Sequence, residues 1–348
     1  MIRQGITTLR QAARRLKGRF NRKPLILLYH RIADLQSDPQ LLSVTPERFE
    51  QHLEILQKQA HPMRLEDMVR AWRENKLPQR AVAVTFDDGY ADNLISGGPL
   101  LRRHDIPATF FVATGYLGHD REFWWDEVER LFLQPGTLPQ ELSLTVNGRA
   151  HRWYLGDAAE YSEDAYRRNR VWNVVRPENP TPRHEVYRSL CQLLHPLPDQ
   201  EQRAVFKTLE VWAKTVSPGR PAYRALTPDE VRQATKDGFV EAGSHTVTHP
   251  VLSALPVSMQ REEIGRSKSR LEEILGYPVR SFAYPYGTRS DYTTQTVSLV
   301  REAGYDYACS NFEGLVRPDT DPWQLPRFLV RDWDGDEFDR QLLRWYGA

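Results

Sequence analysis

Short apolar runs separated by helical stretches set the tightest limit on how this chain can fold. Leu25–Tyr29 (LILLY), Ala81–Phe86 (AVAVTF) and residues 108–113 (ATFFVA) read as buried strands. Helical patterns at Pro46–Gln59, 66–74 and 100–104 fall between them, the first with Thr45 as N-cap and Pro46 at its first position. The rhythm resumes with a helix at 228–237 capped by Thr227, an apolar run at 239–242, and a helix at 259–275 ended by Gly276. Strand candidates follow at 279–283, 307–310 and 328–330. Strands divided by helices imply parallel βαβ units and an α/β layer or barrel. In such folds the chemistry collects in loops at the carboxyl ends of strands. His30, Asp87, Asp88, His245 and Tyr286 each follow a strand candidate, which predicts one shared mouth.

Residues from about 116 to 225 break the rhythm. Leu142, Leu144 and Val146 alternate up to Asn147-Gly148, a hairpin signal, with 152–155 as the returning strand. Helical patterns at 125–132, 185–194 and 200–214 surround it. The region reads as an insertion or cap on an α/β body spanning residues 24–348.

Residues 1–23 carry a separate pattern. Ile2, Ile6, Leu9, Ala13, Leu16 and Phe20 recur at steps of four and three, while Arg and Lys fill many other positions and no acid precedes Asp34. A basic amphipathic helix of this kind can rest on anionic lipid or dock on the body of the protein. It lacks the apolar stretch of a secretory signal, and no apolar run reaches a membrane span. The expectation is a cytoplasmic protein with residues 1–20 able to touch the inner membrane surface. A net charge of +1 gives no global field for nucleic acid. Cys191 and Cys309 are too few and too far apart to frame a disulfide scaffold or a zinc site. The sequence carries no mark of an oligomeric state.

Three short segments carry chemistry. Thr85-Phe86-Asp87-Asp88-Gly89 puts two adjacent carboxylates at a strand end, one free to bind a cation and the other to act as a base. Ser244-His245-Thr246-Val247-Thr248-His249-Pro250 sets two imidazoles four residues apart just after a strand. With Asp88 they make two imidazoles and one carboxylate, the donor set of a catalytic zinc site with room for a water. The third segment, Phe282-Ala283-Tyr284-Pro285-Tyr286-Gly287, is a strand running into a turn.

Taken together and in this order, TFDDG, SHTVTHP and FAYPYG resemble the polysaccharide deacetylase family, the NodB-homology or carbohydrate esterase family 4 group. The resemblance covers about residues 24–115 and 225–335. It implies a deformed (β/α) barrel with a central insertion, a divalent metal, most often Zn2+, and removal of N-acetyl or O-acetyl groups from an N-acetylated carbohydrate. It also implies Asp87 as catalytic base, Asp88, His245 and His249 as metal ligands, and the Pro285-Tyr286 turn as the oxyanion contact through the Tyr286 N–H.

The chain departs from that pattern twice. Many members have an Arg against the base where this chain has Ala283, and many have a late Leu-x-His whose His is the acid, whereas every His here lies at or before His249. His30 in LLYHRI resembles the exopolysaccharide-type branch and is the candidate acid. Arg327 or Arg331 could supply the lost guanidinium, and Arg327 is also a candidate substrate contact. Tyr90, Trp124, Trp125 and Trp333 could stack on sugar rings, Trp333 first because it follows the last strand candidate. Two alternatives stay open: a glycan-binding protein that kept the fold without activity, and an amidase acting on a non-glycan amide.

Overall fold

The computed structural model describes residues 24–215 and 219–347; the basic helix expected at 1–23, and with it the membrane contact at 1–20, lies outside them. Eight parallel strands form the central sheet: β1 (Leu25–Tyr29), β2 (His61–Pro62), β3 (Ala81–Phe86), β4 (Ala108–Val112), β5 (Val240–Ser244), β6 (Ser281–Ala283), β7 (Tyr307–Cys309) and β8 (Phe328–Leu329). Their order is β7-β6-β5-β4-β3-β1-β8, with β2 on the edge of β3. The sheet curls until its ends meet. Cys309 of β7 bridges Leu325, just ahead of β8, and Ser310 N–H donates to the Leu325 carbonyl at 2.9 Å. This is the deformed (β/α) barrel that the sequence implies.

The period of two in each strand sorts side chains between two cores. Leu25, Leu27, Tyr29, Val82, Val84, Phe86, Phe110 and Val112 pack beneath the outer helices, Pro46–Gln59 among them. Ile26, Ala81, Ala83, Phe111, Ala283 and Cys309 form a second cluster. Both faces are covered, so the strands read as continuous apolar runs. Each fully buried Leu or Phe contributes about 1.5–3 kcal/mol.

Register then lines up the strand ends. Phe86 pairs with Tyr29 on one side and Phe110 on the other, while Ser244 pairs with Val112 and Phe282. Residues that follow these positions converge on one rim.

The central insertion has its own core. Helices Trp124–Phe132, Pro182–Leu194 and Asp199–Ala213 and the hairpin Glu141–Val146/Arg149–Tyr154 enclose Trp125, Phe132, Leu142, Tyr187, Leu190 and Leu209. The hairpin alternates buried and exposed residues as its sequence predicts. Arg183, almost fully buried, donates five hydrogen bonds to the carbonyls of Phe132, Gln134, Gly136, Ala158 and Ala159 and ties the segment together. Helices at Glu163–Asn169, Thr294–Glu302 and Gly335–Tyr346 were not anticipated from the sequence. Among the described residues no helix is long and apolar enough to cross a membrane.

Candidate active site

Asp87 and Asp88 leave β3 in a turn that only certain residues can make. The Asp87 N–H donates to Tyr29 O at 3.0 Å, which extends the β1–β3 ladder by one bond. Asp88 and Gly89 then adopt left-handed backbone, φ +72° and +83°. A Cβ on Gly89 would sit 2.9 Å from Val112 Cγ1, so glycine is required by both conformation and space.

His245 and His249 come from the turn after β5. The pair does not lie on a helix: Thr246 and His249 both take positive φ, +65° and +59°. Glu263 holds the turn, accepting from Val247 N–H at 2.8 Å, Thr248 N–H at 2.9 Å and Thr248 Oγ1 at 2.7 Å. His245 Nδ1 donates to the Ala283 carbonyl at 2.8 Å, which turns Nε2 toward the carboxylates. Rings orient His249, with Tyr286 at 4.7 Å and Trp125 at 5.2 Å between centroids.

Asp88 Oδ1 lies 3.5 Å from His245 Nε2 and 3.2 Å from His249 Nε2. One ligand atom from each of the three falls within 4.8 Å of the others. With metal–ligand bonds of about 2 Å, that spacing fits one divalent cation. Burial pushes the Asp88 carboxyl up, but His245 and His249 beside it outweigh burial and hold it far below the usual range. Burial also lowers His249, against the pull of Asp88. Burial lowers His245 too, but Asp87 and Asp88 outweigh it and raise that imidazole, so a bound cation would take the place of a proton there.

Of the two arginines offered for the guanidinium that Ala283 does not supply, Arg327, just ahead of β8, takes the place. Arg327, fully buried, donates from Nη1 and Nη2 to the two oxygens of Asp87 at 2.7 and 2.6 Å, and from Nε to Ser310 O at 2.7 Å. Burial alone pushes the Asp87 carboxyl up; Arg327, with His245, reverses that and keeps it below its ordinary value. Arg327 stands behind Asp87 and not on the cavity wall, so the expected contact with substrate is corrected to a pairing with the Asp87 carboxylate.

A cavity of about 730 Å3 opens over these residues. His30, Asp87, Asp88, His245 and Tyr286 line it, as the strand-end argument predicts, and His249 and Arg331 line it with them. Burial lowers the His30 imidazole, while Asp88 and Asp87 pull the other way. Tyr286 has φ +58°, and its hydroxyl accepts from Trp124 Nε1 at 3.1 Å.

Three expected contacts are placed elsewhere. Tyr90 is fully buried, donating to Asp126 at 2.6 Å and accepting from Trp125 Nε1 at 2.9 Å, so it braces Trp125 instead of meeting substrate. Burial raises Asp126 to about 7. Pro285 is buried in the turn that presents Tyr286. Trp333 packs on Trp345, 5.9 Å between centroids, away from the cavity. The aromatic walls are instead Trp124 and Trp125, from the insertion.

The insertion also contributes residues the sequence did not single out, namely Arg188, Gln192 and His195. His195 ends helix Pro182–Leu194 and sets its ring 4.3 Å from that of Tyr286. No local pattern marked them, because a helix of a separate core carries them to the rim. A second cavity, about 230 Å3 around Arg183 and Glu127, contains none of the site carboxylates or imidazoles.

Known proteins give the same picture. A family model described as polysaccharide deacetylase matches residues 74–137 and 185–308, more than half of the chain, and skips the stretch that contains the hairpin. The polysaccharide deacetylase YxkH of Bacillus subtilis is 28% identical over 108 residues, 30% of this chain and only 37% of that protein. The poly-beta-1,6-N-acetyl-D-glucosamine N-deacetylase of Staphylococcus aureus is 20% identical over 308 residues, 88% of this chain and 72% of that one. Among solved structures, the Streptococcus pyogenes deacetylase PplD in complex with acetate aligns at a TM-score of 0.57 and 18% identity, over 93% of this chain and 98% of that one. IcaB from Ammonifex degensii aligns at 0.57 and 19%, over 94% and 97%. At such identities these structures speak to the fold.

Proposed function

The chain belongs to the polysaccharide deacetylase family, and from that premise we propose that it is a metal-dependent hydrolase removing acetyl groups, N-acetyl first, from a glycan or glycan precursor. The observation that carries the reading is the bidentate Arg327–Asp87 pair beside the Asp88, His245, His249 triad. A fold kept only for binding has no use for a buried, ionised carboxylate with its own guanidinium, because burying such a pair costs desolvation. The similarity to an N-deacetylase of a poly-N-acetylglucosamine supports the choice of N-acetyl and of a hexosamine polymer or its precursor.

Two imidazoles and a carboxylate favour Zn2+ as the ion. Held there, it would polarise the acetyl carbonyl and acidify the attacking water. The protein's own residues do the rest. Asp87, ionised and aimed by Arg327, accepts a proton from that water. The Tyr286 N–H has no acceptor among the described residues and sits on the cavity, where it can donate to the oxygen on which charge develops. His30, on the same cavity, returns a proton to the leaving amine. Trp124, Trp125 and Tyr286 are the aromatic residues on the cavity wall with which a sugar ring would pack. A cytoplasmic setting, with residues 1–20 against a membrane, would suit a lipid-linked or nucleotide-linked sugar, and belongs to the same proposal.

The test is acetate release by the zinc-loaded protein from N-acetylglucosamine oligosaccharides of different linkage, with metal content measured in parallel. Acetate release that stops with a chelator and returns with zinc is expected. A metal-loaded protein that binds these oligosaccharides yet frees no acetate would favour the binding-only alternative.

A further inference from the structure

Ion pairing in this fold is consistent enough that its exceptions stand out. Arg31, Arg121, Arg220 and Arg327, all substantially buried, each hold a carboxylate at 2.5–3.0 Å. Arg183 lacks one but spends its donors on five carbonyls. Two arginines on the wall of the catalytic cavity, Arg331 and Arg188, hold no carboxylate in an ion pair among the described residues. Arg331, just past β8, uses only Nη1, on the carbonyls of Gln40 and Leu41. Its Nε and Nη2 have no protein acceptor among the described residues. Arg188, on helix Pro182–Leu194, donates to Asn179 Oδ1 at 3.0 Å and to the carbonyls of Val174 and Arg176 at 2.8 and 2.5 Å. None of these partners carries a charge.

The two guanidiniums flank one loop. Arg331 grips the loop at Gln40 and Leu41, while Arg188 holds Val174, whose N–H donates to Pro39 O at 2.9 Å. Both are anchored by neutral groups, which fixes their position without cancelling their charge. The negative charges on the cavity are otherwise engaged: Asp87 by Arg327, Asp88 between the two imidazoles, and Asp291 by Thr288 N–H at 2.8 Å and its hydroxyl at 2.5 Å. Asp38 attracts Arg331 but spends its oxygens on the Leu42 and Ser43 N–H groups at 3.0 and 2.7 Å, so a neutral sugar would leave both guanidiniums without an ion-paired carboxylate. An anion would gain from both, because such bonds are strong where water is scarce.

We propose that Arg331 and Arg188 form an anion subsite, so that the N-acetylated glycan this protein takes carries a carboxylate or phosphate close to the acetamido sugar. The subsite rests on the deacetylase reading for what is cleaved, but its charge preference is measurable without turnover.

The probes are N-acetylglucosamine oligosaccharides of one length, neutral, bearing a uronate, or bearing a phosphomonoester. Calorimetry with the metal-loaded full chain gives their affinities, and acetate release is followed on the same samples. The anionic probes are expected to bind about tenfold more tightly than the neutral one or better, an advantage that shrinks as salt rises. Whichever anion binds more tightly identifies the source of the charge. Arg331→Gln and Arg188→Gln should each reduce the anionic-to-neutral ratio, and the double variant should bring it near one. The ratio stays informative if a variant is generally weakened, and Arg188→Lys, which keeps the charge, should preserve part of it. Equal binding of all three probes, or a ratio unchanged in the double variant, overturns the subsite. Acetate freed from the neutral probe with no charge preference would overturn it while sparing the deacetylase reading. Charge preference with no acetate from any probe would support the subsite and count against that reading.

Discussion

Asp87 at the end of β3 and Arg327 just before β8 meet through two hydrogen bonds of 2.7 and 2.6 Å, although 240 residues separate them in sequence. Neither is exposed to solvent to any useful extent. The pair therefore couples the fold to the chemistry: each charge is tolerated only because the other is present.

Removing one partner should harm stability and activity together. Arg327→Met leaves an unpaired buried carboxylate, at a cost of about 3–5 kcal/mol, and should lower kcat by about a hundredfold or more. Thermal unfolding and acetate release measure the two losses. Asp87→Asn combined with Arg327→Met should recover much of the stability and none of the activity. A single Arg327→Met variant as stable as the parent would show that the pair matters less than its geometry implies.

The three proposed ligands and the proposed base should separate cleanly in metal analysis. His245→Ala, His249→Ala and Asp88→Ala are each expected to abolish stoichiometric metal binding and activity. Asp87→Asn should keep the metal, since Asp87 lies outside the triad, while losing turnover. Elemental analysis of the purified variants decides this, and metal lost from Asp87→Asn would move that residue into the ligand set.

His30 is tested through the leaving group. His30→Ala should slow amide hydrolysis by about 100-fold or more. It should change hydrolysis of an aryl acetate far less, because that leaving group departs without a proton. Equal losses on both substrates would point to a positioning role for His30 instead of proton delivery.

Stability should depend on pH through His52, which is fully buried, with Nε2 on Trp333 O at 2.8 Å and Nδ1 3.3 Å from the Tyr29 hydroxyl. Burial lowers its pKa to about 4, from the ordinary 6.5. The folded state thus binds this proton less readily than the unfolded chain does. Its contribution is complete above about pH 6.5 and is lost as pH falls toward 4, amounting to about 3 kcal/mol over that window. Denaturant titrations at several pH values should show that slope, reduced in His52→Gln; an identical slope in the variant would assign it to other groups.

Strand and helix periodicity specified much of the barrel in the sequence. LILLY, AVAVTF and ATFFVA become β1, β3 and β4, and helix Pro46–Gln59 begins at the expected Thr45 cap. These signals are local: backbone hydrogen bonding and one-sided burial act over a few residues, so pattern alone reveals them. The same locality made Asp87, Asp88 and His245 legible at strand ends and His249 in the turn after β5.

What the sequence did not disclose depends on residues far apart in the chain. The sequence offered Arg327 or Arg331 for the guanidinium that Ala283 does not supply, and only the curl of the sheet, which brings β8 beside β1, decides for Arg327. Tyr90 lies two residues from Asp88 yet turns into the insertion core, because Asp126 and Trp125 satisfy its hydroxyl there. Arg188 and His195 reach the cavity only because a separately packed insertion docks on the rim. The sequence alone named Asp87, Asp88, His245 and His249 as candidates and set the strand ends on one rim. Tertiary structure decided which charges are paired and which face the cavity, since pairing is set by through-space distance and desolvation, to which local sequence pattern is blind.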